Sequence, residues 1–156
     1  MPQLSTYVGM LHRAEQTLAE SLRTIGTAHA AESDVEVSCC ELLATMSDRH
    51  VRSLGPIAER YGEQRAGDDV EEPDRLHADG LADGRSGPVG LLRDLQDLYV
   101  LASLVQTTWT VVYQAAQGVR DGELMKAAED ANADTSRQLA WLNTRMKVAA
   151  PQALLV

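Results

Sequence analysis

Residues 98–119, LYVLASLVQTTWTVVYQAAQGV, carry no charged side chain. Such a run has two physical meanings. It is long enough to cross a bilayer, and a helix apolar on more than one face is also what a bundle holds at its centre or presses against a second copy. Ser103, Gln106, Thr107, Thr108, Thr110, Gln114 and Gln117 decide between the two. So many hydrogen-bonding side chains are too costly in hydrocarbon. The segment is therefore expected to belong to a bundle helix over about 88–117. Pro88 opens it, because a fixed φ and a missing N–H suit the first helical turn.

Toward the C-terminus, Gly118 and Gly122 flank a short turn with Asp121 as the cap candidate. A fourth helix follows over about 123–149, with Leu124, Ala128, Ala131, Leu139, Leu142 and Met146 as its core positions and Pro151 as its stop. The tail Ala153-Leu154-Leu155-Val156 is apolar and is expected to dock on the bundle or on a partner.

Toward the N-terminus, residues 63–87 show no apolar periodicity and hold eight acids against three arginines. That is over half of the chain's net charge of −9, and it predicts a long, solvated, mobile connection. Before it, a second helix is expected over about 34–62, capped by Ser33 or Asp34, with the stripe Cys40, Leu43, Ser47, His50, Leu54, Ile57 and Tyr61. Gly55-Pro56 lies inside it, where proline removes a donor and crowds the preceding turn, so a kink or break is expected. A first helix over about 6–31, capped by Ser5 or Thr6, carries Leu4, Val8, Leu11, Leu18, Leu22 and Ile25 on one stripe. Glu15 and His29 lie on the same stripe.

Composition narrows the function. The 156 residues fit one domain, spanning 1–156. Phe is absent, so the core must be built from Leu, Val, Ala and Met. A net charge of −9 without a basic cluster excludes nucleic acid as a partner. Cys39 and Cys40 are adjacent and close no useful loop. Cys40 falls on the core stripe, whereas a catalytic thiolate needs access and a basic neighbour. The opening Met1-Pro2-Gln3-Leu4 lacks a basic region followed by an apolar run, so a cytoplasmic protein is expected, with no membrane attachment. Phosphate loops, serine-nucleophile motifs and Cys-x-x-Cys are missing. Of the remaining histidines, His12 is off the stripe and expected to be exposed, and His77 sits in the acidic connection. His29 suits a helix C-terminus, where its charge meets the dipole. Tyr99, Trp109 and Tyr113 share a face of the third helix, with Trp141 on the fourth, as core, pocket or dimer seam.

Level matching along the helices brings polar residues together. If the first two helices reverse near residue 33, Glu15 and His50 stand at the same height on opposite sides of that turn. A third helix parallel to the second places Gln106 there, and a fourth returning from the turn near 120 places Asp134 there. Ser47, one turn before His50, completes a polar core network of Glu15, Ser47, His50, Gln106 and Asp134. A connection of this length reaches easily over the ~40 Å of a helix.

In length, helix order, long crossover and a mid-bundle Glu on the first helix, the chain resembles the ferritin-like four-helix bundles. The resemblance implies an all-α fold, an up-down bundle with a long acidic crossover between helices two and three. It also implies a di-iron or di-manganese centre built from a Glu on each of two helices and a Glu-x-x-His pair on each of the others. Glu15 matches the first Glu, and His50 matches the His of the second helix. Ser47 stands where that histidine's Glu belongs, Gln106 or Ser103 replaces the Glu of the third helix, and Ala131 and Asp134 replace the pair of the fourth. The motif is degenerate. The expected function is a non-enzymatic helical bundle for interaction or small-ligand binding, homodimeric through helix three and the apolar tail, with a lapsed metal site and no cofactor. The alternative is a ferritin-like oxidoreductase or iron-handling protein that holds iron or manganese on Glu15, His50 and Asp134.

Overall fold

The computed structural model describes residues 2–62 and 83–156. Four helices account for nearly all of them: α1 (Pro2–Ala28), α2 (Asp34–Tyr61), α3 (Gly87–Val119) and α4 (Gly122–Leu154). The chain is an all-α four-helix bundle, and no described helix is long and apolar enough to cross a membrane.

Side-chain pairs fix the helix directions. Glu15 with His50, and Arg23 with Glu41 and Asp48, make α1 and α2 antiparallel. Glu15 with Trp109, and His29 with Asp94, do the same for α1 and α3. Glu36 with Arg145, His50 with Asp134, and Arg60 with Asp121 set α2 against α4. Helices α2 and α3 therefore point the same way, and α1 and α4 each pack against both of them. The end of α2 and the start of α3 lie at opposite ends of the bundle, ~40 Å apart at 1.5 Å per residue. Residues 63–82 of the expected mobile connection lie outside the described residues. At its end, Arg85 is bound to Asp94 and Asp97.

The stripes foreseen on the first two helices form the core. Val8, Leu11, Leu18, Leu22 and Ile25 are fully buried on α1, and Cys40, Leu43, Leu54 and Ile57 are buried on α2. On α4, Leu124, Ala128, Ala131 and Leu142 are buried as expected, but the rest of the stripe differs. Thr135 and Gln138 are fully buried, while Leu139 and Met146 are only partly so. The fourth helix thus turns a polar edge inward, where the buried groups of α2 offer it partners.

Helix ends differ from expectation in several places. Helix α1 starts at Pro2, so Ser5 and Thr6 lie within it, and it stops at Ala28. Ser33 caps α2 by accepting from the Val35 N–H. Pro56 neither breaks nor ends α2, which runs on to Tyr61. Its ring faces outward, and the carbonyl deprived of a donor belongs to exposed Arg52, where water can solvate it. Pro151 likewise lies inside α4, which continues to Leu154. Asp121 caps α4, accepting from the Leu124 N–H.

Close packing of α1 on α2 depends on Gly26. A Cβ at that position would stand 2.9 Å from the Cys40 Cβ and 3.1 Å from the Glu36 carbonyl oxygen. Neither neighbour can yield without moving the helix that carries it. Gly26→Ala should lower the stability measured by urea unfolding by about 1–3 kcal/mol, although alanine is the better helix former.

Candidate functional site

A buried cluster at mid-height joins all four helices. His50 lies on the inward stripe of α2 and is 4% exposed. Its Nδ1 is 2.8 Å from Oε1 of Glu15 on α1, and its Nε2 is 2.9 Å from Oδ2 of Asp134 on α4. From α3, the indole N–H of Trp109 donates to the same Glu15 Oε1 at 2.8 Å. The indole ring meets the imidazole edge-on, with centroids 6.2 Å apart. Arg49 and Arg137 reach Asp134 from the rim, at 3.0 and 3.3 Å. Glu15 is fully buried, and its Oε2 has no hydrogen-bond partner among the described residues.

Two carboxylates flanking one imidazole favour its protonated form. Burial by itself would lower the His50 pKa, but the hydrogen bond and charge of Glu15, followed by those of Asp134, leave it raised. Asp134 is held below the ordinary carboxylate range: burial pushes it up, and His50 and Arg49 outweigh that. In its protonated form, both ring nitrogens carry hydrogen and His50 donates in two opposite directions.

That arrangement bears directly on metal binding. A metal held by Glu15, His50 and Asp134 needs both carboxylates and one ring nitrogen to converge on a point. Here the carboxylates sit at opposite ends of the imidazole, and the diverging lone pairs of its two nitrogens cannot meet one ion. Among the described residues, no group of three or more His, Cys, Asp and Glu side chains is placed to hold a metal. The donor set as folded does not fit the di-metal centre implied by the ferritin-like resemblance.

Of the five network residues expected from the sequence, Glu15, His50 and Asp134 meet directly. Ser47 is fully buried one turn away and accepts from Gln138 Nε2 at 2.8 Å, and the same nitrogen donates to the Leu43 carbonyl at 2.9 Å. Gln106 is not in the network. It is half-buried, and Trp109 takes its place opposite Glu15. Level matching across the long connection assumed that α3 begins flush with the end of α1. Instead Trp109 stands level with Glu15 and Asp94 with His29, so α3 sits about one turn further out than that count places it and residue 109 takes the position in the layer.

A second charge cluster, not foreseen, closes the far end. His29 is fully buried, with Nδ1 2.7 Å from Glu32 Oε2 and Nε2 2.7 Å from Asp94 Oδ2. Asp94 also accepts from the Arg85 backbone N–H and guanidinium, and Glu32 accepts from the Gly87 N–H. Burial again opposes protonation of His29, and Asp94 and Glu32 again outweigh it, so its pKa is raised. Nearby, buried Glu36 pairs with Arg145, which holds its pKa down against the effect of burial. Glu36 and Arg145 sit at the same height on antiparallel α2 and α4, as His50 and Asp134 do, and that count could have found them. Burial pushes the Cys40 thiol up to about 12, Glu36 and Cys39 adding to it, so this cysteine is no nucleophile near neutral pH.

Comparison with protein-family models, with curated proteins and with solved structures gives no match for this chain.

The charge clusters give stability a definite pH profile. Raised folded-state values at His29 and His50 add stability that is complete below the unfolded value of about 6.5. It is lost as pH climbs through the raised values. The depressed values of Asp134 and Glu36 add stability present above the ordinary carboxylate range and lost as pH falls through them. Thermal melts should therefore show a Tm that declines from about pH 6.5 upward. His50→Gln should cost about 3 kcal/mol at pH 6 and should flatten part of that decline. A Tm constant from pH 6 to about 9, or an unchanged slope in the variant, contradicts the assignment.

Proposed function

We propose that this chain is a non-enzymatic four-helix bundle of ferritin-like topology that works by binding, as a homodimer, with a charge cluster where that topology elsewhere carries metal. The observation that carries the proposal is the saturation of His50. Both of its ring nitrogens are engaged by carboxylates on different helices, so its positive charge stands in for that of a metal ion. Parallel α2 and α3, set by the side-chain pairs above, favour the ferritin-like connection.

The dimer proposal rests on the outer face of α3. Val100 and Val111 are 68% and 51% exposed, with Leu104 and Thr107 between them at helical spacing. This face falls in the uncharged run, whereas a chain of net charge −9 would repel its copy along acidic surfaces. At the other end of the sequence, Leu154, Leu155 and Val156 are exposed and available to extend the seam.

Two measurements test the proposal. Protein purified from cells supplied with iron or manganese should contain under about 0.2 metal per chain, since genuine sites fill close to one. Near-stoichiometric metal that disappears in His50→Ala would instead establish the metal-binding alternative on Glu15, His50 and Asp134. Light scattering should give a dimer mass for the native chain and a monomer mass for Val100→Asp/Val111→Asp. A monomer at every concentration of the native chain overturns the dimer.

A further inference from the structure

On the flank of the bundle, α3 and α4 part to leave a cavity of about 300 Å³. It lies at the lower end of the range for small-molecule sites. Trp109, Thr110 and Tyr113 line it from α3, and Ala128, Glu129 and Asn132 from α4. Thr110, Glu129 and Asn132 are exposed at its mouth, so the cavity is open to solvent.

Its chemistry has one sign. Among the described residues, Glu129 is the charged one in the wall, and no lysine or arginine joins it there. The nearest base along the helix, Lys126, commits its ammonium to Asp130 at 3.0 Å. Two aromatic rings share the wall with that carboxylate, and a cation over an aromatic face is attracted by the ring quadrupole, most strongly for tryptophan. Trp109 is prepared for such a role. Its N–H is fixed by Glu15 and the side chain is only 2% exposed, so the ring contributes to the wall without further ordering cost. The Tyr113 hydroxyl stands 3.4 Å from Glu129 Oε1, beyond the usual reach of an O–H···O bond. An ammonium group can therefore displace this contact at little cost. The net charge of −9 raises the local concentration of cations and lowers that of anions.

We propose that the cavity between α3 and α4 is a binding site for a small organic cation, with Glu129 as counter-ion and the rings of Trp109 and Tyr113 as its aromatic walls. The site rests on the binding function proposed above and names a ligand class for it. It does not depend on the dimer, because Val100 and Val111 lie on a different face of α3.

The test follows the indole N–H resonance of Trp109 by NMR in the full chain, assigned with Trp141→Phe, since the protein has two tryptophans. Tetramethylammonium chloride is titrated against sodium chloride at equal ionic strength, and tert-butanol serves as the neutral analogue of similar shape. The expected result is a saturable shift with tetramethylammonium and none with tert-butanol. Glu129→Gln and Tyr113→Leu, each checked for native helicity, should weaken binding by roughly tenfold or more. The proposal is overturned by the absence of a saturable shift up to about 100 mM cation. It is equally overturned by matching saturation with tert-butanol, or by either variant binding as the native chain does. Binding of the cation by a monomeric chain would separate this site from a failure of the dimer.

Discussion

The imidazole of His50, clasped between Glu15 and Asp134, is the contact on which the bundle's register depends. It joins α1, α2 and α4 in one layer, and Trp109 brings in α3 through the same carboxylate oxygen. Burying these groups is costly, and a buried ionic cluster is weak evidence for stability as such. Its value lies in discrimination. Sliding any helix by one turn would leave a carboxylate or an imidazolium buried without its counter-charge, an error of several kcal/mol. A core assembled mainly from leucine, valine and alanine offers little discrimination of its own, because one aliphatic turn packs much like the next.

The same principle is repeated along the molecular axis. Asp121 receives Tyr61 and Arg60 at one end of the bundle, at 2.6 and 2.8 Å. His29 gathers Glu32 and Asp94 at the other, and Arg85 and Gly87 fasten the start of α3 there. Polar contacts therefore fix the helices at three heights while aliphatic side chains fill the space between. Gly26 completes this arrangement by letting α1 and α2 approach closely beside Cys40.

Where the chain turns tightly, its sequence was legible. The short reversals near residues 29–33 and 120–121 tie residue number to height, so Glu15, His50 and Asp134 could be matched by counting alone. Across residues 63–87 that link is lost, because a long connection does not specify where the next helix starts. The choice of Gln106 over Trp109 and the missed pair of His29 with Asp94 both follow from this one gap. A second gap concerns helix phase. Apolar periodicity ranks Leu139 above Gln138, because it scores a leucine above a glutamine. Yet buried Ser47 and the Leu43 carbonyl on α2 both accept from the Gln138 amide. Helices α2 and α4 continue through Pro56 and Pro151 because both sit on outward faces, where a lost backbone bond is solvated.

The side chains of the central cluster are divided between the two halves of the sequence. Glu15 and His50 belong to the α1–α2 hairpin, and Trp109 and Asp134 to the α3–α4 hairpin. During synthesis the first hairpin emerges with an imidazole that has only one of its two acceptors and an apolar stripe open to water. It has little reason to settle until the second arrives. Such a molecule should fold as a single cooperative unit despite its repeated hairpin plan. Each half, expressed as a separate fragment, should find its most specific complement in the other.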